Sequence, residues 1–417
     1  MADTVNRRSS MTSPDVQAVL AHLDDEAILA FAQELVRIPS VTGDERAAAL
    51  FVAETLRQAQ GRLCERAGLQ VSVRDVHGDR PNVLATWPGE SGAIGLLFHG
   101  HTDTVPFLGM RDPTSGEIED GYIWGRGSVD QKGGLAAAVM AVLALARSGV
   151  RLAKGVAIAA VIDEESEHRG SAALVDDGLR ADCAITTEPS DLRMLVACKG
   201  TAPIRIRFTG VLAHGSNPWL GVNAVEMAAR TVTALKELKL KTVVVPGVGR
   251  MRASINVGLI EGGTAYNNVA DSCTLWLDRR MVPGETQAMA LAEVREVLSQ
   301  LAASDPTFQA EAEIARPDWK WERIRQRGLN PALTPPDSPV ARAIASAHQA
   351  VTGQAVEVGY THGYNDGDFL INDLGIPTVN YGPGESARSH TAEERLRIDH
   401  LLTAARVYVH AALRVAG

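Results

Sequence analysis

Histidine and acidic residues that could bind a metal ion stand in loops directly after predicted strands. Apolar runs at 94–98, 156–162 and 184–186 each predict a buried strand, and each ends in such residues. A Gly-rich loop and a loop near the C-terminus add two more candidates. The residues are His101, Asp103, Asp130, Glu164, Glu165, Glu188 and His390. Because ligands bind outside the carboxyl ends of strands in open α/β sheets, we expect these side chains to meet. Imidazoles combined with carboxylates suit zinc, manganese or cobalt.

The adjacent carboxylates of Glu164 and Glu165 suggest two different roles. Consecutive residues on an extended backbone point to opposite sides, so one carboxylate can bind a metal ion while the other faces a bound water. Two buried like charges are costly unless cations neutralise them. The alternative is a solvated acidic loop over 163–167.

His101 and Asp103 form a second informative pair. A histidine that binds a metal ion often donates its other ring N–H to a carboxylate, so we expect Asp103 to orient His101. The alternative is a loop histidine beside a turn aspartate. For Asp130, which stands among glycines, the alternative is an ordinary Gly-rich turn.

Composition narrows the classes of function. The chain has 417 residues, 45% of them hydrophobic, and a formal net charge of −9. Without a basic run, this composition favours a soluble protein with no nucleic-acid or membrane partner. The four cysteines are far apart, which speaks against disulfides and thiolate zinc sites. A polar N-terminus and an Ala-rich run at 135–145 that is too short to span a bilayer predict a cytoplasmic protein. Dinucleotide, P-loop and nucleophile-elbow motifs do not occur in the sequence.

The order of predicted elements indicates one domain inserted in another. Strands alternate with helices over 21–198, which predicts an α/β layer architecture. Strands in which polar and apolar residues alternate, together with two helices, then predict a separate α+β domain over 199–315. The α/β pattern resumes over 316–417, so the smaller domain interrupts the larger one. Residues 1–20 are predicted to be a flexible tail.

Six motifs in one order carry a family resemblance. The chain resembles the dinuclear-zinc amidohydrolase and peptidase family that contains acetylornithine deacetylase, succinyl-diaminopimelate desuccinylase, the aminoacylases and glutamate carboxypeptidase. The motifs are G-H-T-D-T-V-P (100–106), G-R-G-S-V-D-Q-K-G-G (125–134), D-E-E (163–165), T-E-P (187–189), G-x-x-A-H-G-S-x-P (210–218) and G-P-G-E…H-T (382–391).

The resemblance implies a role for each residue of the cluster. It implies two divalent ions, with zinc as the first candidate and manganese or cobalt as alternatives. It also implies a cis peptide bond between Asp130 and Gln131. The implied roles are His101 and Glu188 on one ion, Glu165 and His390 on the other, Asp130 bridging both, Asp103 orienting His101, and Glu164 as general base.

The inserted domain supplies further implied roles. By resemblance, His214 reaches the active site of a partner subunit and stabilises the oxyanion, so a homodimer forms through 199–315, with a higher oligomer left open. Asn268 and Arg280 match positions that hold a substrate carboxylate, for which the planar guanidinium is suited. The alternatives are a packed or surface histidine, a loop amide and a salt bridge on the sheet.

The loop over 361–369 departs from the family pattern. Gly363 and Asp366 are candidate substrate contacts in this loop. Asp368 stands where relatives carry a basic residue, and it would repel an acidic substrate group if it faced the pocket. The alternative is a surface loop with no such role.

We therefore expect a zinc-exopeptidase-like α/β catalytic domain with an inserted ferredoxin-like α+β domain that serves as dimerisation domain or lid. The expected activity is metal-dependent hydrolysis of an amide bond in a small N-acyl amino acid or short peptide, with Glu164 as general base. One alternative is an aminohydrolase that releases ammonia at the same metal site. A more remote alternative is a non-catalytic binding protein on this fold.

Overall fold

A computed structural model describes residues 15–58, 68–316 and 319–417. The predicted tail over 1–20 therefore lies mostly outside the described residues. Within it, Val16–Leu20 form a helix capped by the side chain of Asp15, and Val19 is buried. Val16 and Leu20 also pack against the core, so these five residues are helical in the structure and differ from the expected flexible tail.

Helices form where apolar residues repeat at helical spacing behind a capping residue. The second helix, for example, begins after Asp24, whose carboxylate accepts the N–H groups of Glu26 and Ala27. The helices are α1 (Val16–Leu20), α2 (Asp25–Arg37), α3 (Arg46–Gln58), α4 (Gly133–Ser148), α5 (Arg169–Asp176), α6 (Ala224–Leu235), α7 (Gln287–Ser304), α8 (Glu322–Arg327), α9 (Pro339–Thr352) and α10 (Ile398–Ala416).

The strands are between two and ten residues long. They are β1 (Gln70–His77), β2 (Arg80–Trp87), β3 (Ile94–His101), β4 (Ile118–Glu119), β5 (Tyr122–Trp124), β6 (Gly155–Val161), β7 (Cys183–Thr186), β8 (Met194–Cys198), β9 (Gly200–Thr209), β10 (Ala213–His214), β11 (Thr242–Val245), β12 (Gly249–Arg252), β13 (Ser254–Gly262), β14 (Asn268–Val269), β15 (Ser272–Met281), β16 (Ala310–Ile314), β17 (Ala332–Leu333), β18 (Val358–Thr361), β19 (Thr378–Asn380) and β20 (Arg395–Arg397).

A nine-stranded mixed sheet forms the centre of the molecule. Its strands follow the order β1-β2-β6-β3-β7-β19-β8-β17, and β18 pairs with β8. The four neighbours β6, β3, β7 and β19 run parallel to one another. Their carboxyl ends consequently lie at one edge of the sheet, where the loops with the candidate residues begin.

The helix α4 packs on this sheet with its apolar side chains fully enclosed. A Cβ atom at Gly134 would lie 1.9 Å from the carbonyl oxygen of Thr187, so only glycine allows the helix to approach the end of β7 this closely. The stretch Ser128–Ser148 is long and apolar enough to cross a membrane, but 94% of its apolar window is buried in the molecule. This burial identifies α4 as a core helix.

A second, four-stranded sheet is built from residues between β8 and β17. Its antiparallel strands follow the order β13-β15-β9-β16, and α6 and α7 cover one face. Ile204, Ile206, Leu275 and Val294 belong to the apolar core between that face and the helices. The mixed α/β architecture with an inserted α+β unit agrees with the expected fold class, while the boundaries at 199 and 315 stay predictions.

Three of the four cysteines lie in the described part of the chain. Cys183, Cys198 and Cys273 are free and buried. Cys64 lies outside the described residues.

Candidate metal centre

His101 ends β3 and is held by Asp103. The ring atom Nδ1 of His101 lies 2.9 Å from the carbonyl oxygen of Asp103 and 3.4 Å from its Oδ1, so Nδ1 carries the hydrogen. The buried carboxylate of Asp103 also accepts the N–H of Glu164 at 3.1 Å, the N–H of Glu165 at 3.0 Å and the hydroxyl of Thr42 at 2.8 Å. Asp103 thus joins the loops after β3 and β6, and it leaves Nε2 of His101 facing the cluster.

Asp130 lies between the two histidines of the cluster. Its Oδ1 is 3.4 Å from Nε2 of His101, and its Oδ2 is 3.3 Å from Nε2 of His390. The peptide bond between Asp130 and Gln131 is cis, as the resemblance implies. One carboxylate therefore presents one oxygen to each side of the site, which is the geometry that a bridging ligand requires.

Two glutamates complete two groups of three possible ligands. Oε1 of Glu188 lies 3.7 Å from Nε2 of His101, and Oε1 of Glu165 lies 3.0 Å from Nε2 of His390. Within each group, the possible ligand atoms all lie within 4.8 Å of one another. The groups are His101–Asp130–Glu188 and Asp130–Glu165–His390, and they share Asp130.

The charges of this cluster fit bound cations. Burial, followed by the negative charge of Glu188, raises the pKa of Glu164 well above its ordinary value. Burial and the charge of Asp130 raise the pKa of Glu188 in the same way. Nε2 of His101 is buried and has no hydrogen-bond partner in the described part of the chain. Divalent ions would neutralise the carboxylates and give this nitrogen a partner, so the donor set suits two metal ions.

A buried ion pair supports the backbone of Asp130. One oxygen of Glu394 accepts the N–H groups of Val129 at 3.0 Å and Asp130 at 3.1 Å, and the other pairs with the guanidinium of Arg126. The amide side chain of Gln131 accepts the hydroxyl of Thr187 and donates to the carboxylate of Glu188. These bonds fix the Gly-rich loop against the loops that deliver the other ligands.

Replacing Arg126 with methionine is expected to lower the free energy of unfolding by about 3–5 kcal/mol, because Glu394 would remain buried without its partner. Urea denaturation of the metal-free protein measures this loss. The exposed pair of Arg397 and Asp399, with 41% and 63% of the side chains accessible, is the control. Arg397→Met should change the free energy by no more than about 1 kcal/mol. Equal losses in the two variants would show that burial of the Arg126 pair has no special effect.

The candidate residues of the inserted unit do not join the cluster within this chain. His214 and Asn268 are paired opposite each other in β10 and β14, and the exposed His214 contacts the hydroxyl of Ser216 at 2.7 Å. Arg280, at the end of β15, pairs with Asp278 at 2.9 Å. Gly363 lies in the loop over 361–369 of the larger domain, and its carbonyl oxygen accepts the N–H of Lys199 at 3.0 Å. Their roles in substrate binding and across subunits stay predictions.

The loop over 361–369 differs from the expectation at both aspartates. Asp366 is buried, with one oxygen 2.8 Å from Nδ1 of His168 and the other accepting the hydroxyl of Ser171 at 2.6 Å. These bonds engage both oxygens in the interior, and the substrate contact of Asp366 stays a prediction. Asp368 is buried against Arg327 at 2.9 Å, so the idea that it faces the pocket is wrong. Burial raises the pKa of Asp368 to about 6.

Several supporting residues were missed from the sequence. Glu394 stands three residues after the last motif, and Gln131 stands inside the Gly-rich motif next to Asp130, so these positions were the available signal. His168, three residues after the D-E-E motif, offers one nitrogen to a further group of possible ligands with Glu164 and Asp366. A titratable residue so close to a catalytic motif could have been singled out.

Known proteins are similar to this chain over most of its length. Residues 97–414 match the family model described as Peptidase family M20/M25/M40. The N-formyl-4-amino-5-aminomethyl-2-methylpyrimidine deformylase of Halalkalibacterium halodurans is 27% identical over 412 residues, covering 93% of this chain and 94% of the relative. The acetylornithine deacetylase of Edwardsiella ictaluri is 30% identical over 387 residues, covering 90% of this chain and 94% of the relative.

Solved structures show the same fold. The aminopeptidase PepT of Bacillus cereus has a TM-score of 0.75 and 22% identity, with 94% of this chain and 99% of that chain covered. A dinuclear metal-binding peptidase of Bacillus subtilis has a TM-score of 0.69 and 15% identity, with 94% of this chain and 98% of that chain covered.

Proposed function

Because the chain belongs to the peptidase family M20/M25/M40, it is a metal-dependent hydrolase of amide bonds, and we propose that it removes a short acyl group from a small amine. The observation that carries this proposal is the pair of ligand groups sharing Asp130, with Oε2 of Glu164 only 4.0 Å from Nε2 of His101. A base beside a two-metal centre is the arrangement that amide hydrolysis by water requires.

We propose that the residues hold two zinc ions, with manganese and cobalt as the other ions suited to these ligands. His101 and Glu188 would hold one ion, Glu165 and His390 the other, and Asp130 would bind both. When bound, such ions lower the pKa of a shared water and polarise the substrate carbonyl.

The chain supplies the proton transfers through Glu164. Its carboxylate takes a proton from the attacking water as the new C–O bond forms, and it then gives that proton to the leaving nitrogen as the C–N bond breaks. The products are a carboxylic acid, which contains the O–H of the water, and a free amine, which contains its other hydrogen. Asp103 keeps His101 in the tautomer whose Nε2 lone pair faces the centre.

The proposed substrates are formyl or acetyl amides of small amines, including N-acyl amino acids. A deformylase and acetylornithine deacetylases are similar to this chain over most of its length, and both names specify removal of a small acyl group. Asn268 and Arg280 are the proposed contacts for a substrate carboxylate. A homodimer formed through 199–315 and a cytoplasmic location complete the proposal.

A release assay tests the proposed reaction. The metal-loaded protein is expected to release formate or acetate and amine in equal amounts from at least one member of a panel of formyl-, acetyl- and succinyl-amino acids, dipeptides and formylated heteroaromatic amines. The same panel serves zinc-, manganese- and cobalt-loaded protein. Ammonia released from an aminated substrate without a carboxylate would overturn acyl cleavage in favour of an aminohydrolase.

A further inference from the structure

A second buried polar chain lies beside Glu164 and contains none of the five proposed ligands. Nε2 of His99 lies 2.8 Å from the hydroxyl of Ser171, and this hydroxyl donates to one oxygen of Asp366 at 2.6 Å. The other oxygen of Asp366 lies 2.8 Å from Nδ1 of His168. All four side chains are buried, so water does not compete for these bonds.

The chain comes near Glu164 at both His168 and Asp366. One possible ligand atom from each of Glu164, His168 and Asp366 lies within 4.8 Å of the other two. Because Asp366 occupies Nδ1 of His168, Nε2 is the nitrogen left for another partner. That atom is buried and has no hydrogen-bond partner among residues 15–58, 68–316 and 319–417.

The ring of His168 is fixed on several sides. Its centroid lies 5.4 Å from that of Tyr364, 5.8 Å from that of Phe369 and 6.0 Å from that of Trp319. Burying an imidazole nitrogen without a hydrogen-bond partner is unfavourable, and neither the bond of Nδ1 to Asp366 nor the packing among aromatic rings accounts for the unpaired Nε2. The free nitrogen therefore indicates a role in the site.

Glu164 lacks other side-chain restraints. Its backbone N–H is bound to Asp103, but within the described ranges its carboxylate makes no hydrogen bond, and Nε2 of His101 lies 4.0 Å away. A base must hold one orientation toward the water and the leaving nitrogen to act on both. A neighbouring acceptor that is itself held in place can restrain the protonated form of such a base by accepting its O–H.

We propose that His168, oriented by Asp366, is a positioning residue for the general base Glu164. This inference rests on the proposed function. Once Glu164 carries the proton taken from water, its O–H can donate to Nε2 of His168, and this bond keeps the carboxylic acid in place. The bond breaks when the O–H turns to the leaving nitrogen and gives up its proton there. The proton is never transferred to His168, so the overall reaction is unchanged.

Replacing His168 with asparagine tests this role, since asparagine also tolerates the left-handed backbone at this position (φ 57°). We expect kcat to fall about 10- to 100-fold, with KM changed by less than about 3-fold and two metal ions still bound. Asp366→Asn, which keeps the side-chain shape, should produce the same pattern. Wild-type kcat in both variants would overturn the inference, and so would a loss of metal that accounts for the lost activity.

His348 provides a matched control outside the site. It is another buried histidine with a single side-chain partner, the hydroxyl of Tyr381 at 2.8 Å. His348→Asn should lower the melting temperature about as much as His168→Asn without lowering kcat. Equal losses of kcat in the two variants would show that His168→Asn acts through lost packing, and would overturn the positioning role of His168.

A double variant separates this inference from the proposed function. If His168 acts through Glu164, adding His168→Asn to Glu164→Gln should leave the residual rate unchanged. A further 10-fold or larger loss would overturn the positioning role while leaving the proposed function intact. Full activity in Glu164→Gln alone would instead overturn the proposed base.

Discussion

Replacing Glu164 with glutamine should lower kcat about 10²- to 10⁴-fold while both metal ions stay bound. Glutamine has the size and shape of glutamate but cannot take a proton from water. Glu164 is also absent from the two ligand groups that share Asp130, so its loss leaves both groups complete. Product release and elemental analysis of the same preparation measure both effects.

The neighbouring Glu165→Gln variant is the control. Oε1 of Glu165 lies 3.0 Å from Nε2 of His390, and it belongs to the second ligand group. This variant should lose metal from that group together with activity. If Glu164→Gln loses metal in parallel with activity and Glu165→Gln keeps it, then base and ligand are assigned the wrong way round.

Replacing His214 with alanine is expected to lower kcat about 10²- to 10³-fold with unchanged metal content, the loss typical of one oxyanion donor. Its imidazole is exposed on the inserted unit, and none of its described contacts joins it to the cluster of its own chain. Large apolar residues surround it in sequence and are unusually exposed, which suits a subunit interface. Their accessible fractions are 52% for Val211, 55% for Leu212, 75% for Trp219 and 69% for Leu220.

Mixed dimers test whether His214 acts across subunits. Co-expressed His214→Ala and Glu164→Gln chains form hybrids in which one site combines an intact Glu164 with an intact His214 from the other chain. Such hybrids should regain about half of the wild-type activity if His214 acts in trans. Activity that stays at the level of the separate variants would contradict the trans arrangement. His77→Ala, an exposed histidine on β1, should have no effect.

The candidate residues that could be located best from the sequence are those that stand at or just after the carboxyl end of a strand. β6, β3 and β7 are continuous apolar runs and parallel neighbours, so order along the chain sufficed to bring His101, Glu165 and Glu188 to one edge. β18 has four residues like β7, but its sequence V-G-Y-T is not a continuous apolar run, so it was not recognised. The hairpin of β11 and β12 was also missed.

Residues whose roles depend on distant partners were not predictable in this way. Asp368 was expected either to face the pocket or to lie in a surface loop. It pairs instead with Arg327, on a helix 41 positions earlier, and a single sequence does not show that the two meet in the interior. The carboxylate of Glu394 accepts the backbone N–H of Asp130, which lies 264 positions earlier in the chain. Because every residue except proline has a backbone N–H, the pattern of side chains does not show such a contact. His168 and Asp366 likewise meet only in the folded chain.

Anomalous X-ray diffraction from crystals of the zinc-loaded protein tests the central claim most directly, because it locates each ion against its ligands. We expect two peaks per chain, one among His101, Asp130 and Glu188 and the other among Asp130, Glu165 and His390. A single peak, or two peaks that do not share Asp130, would contradict the dinuclear centre and the hydrolytic mechanism built on it.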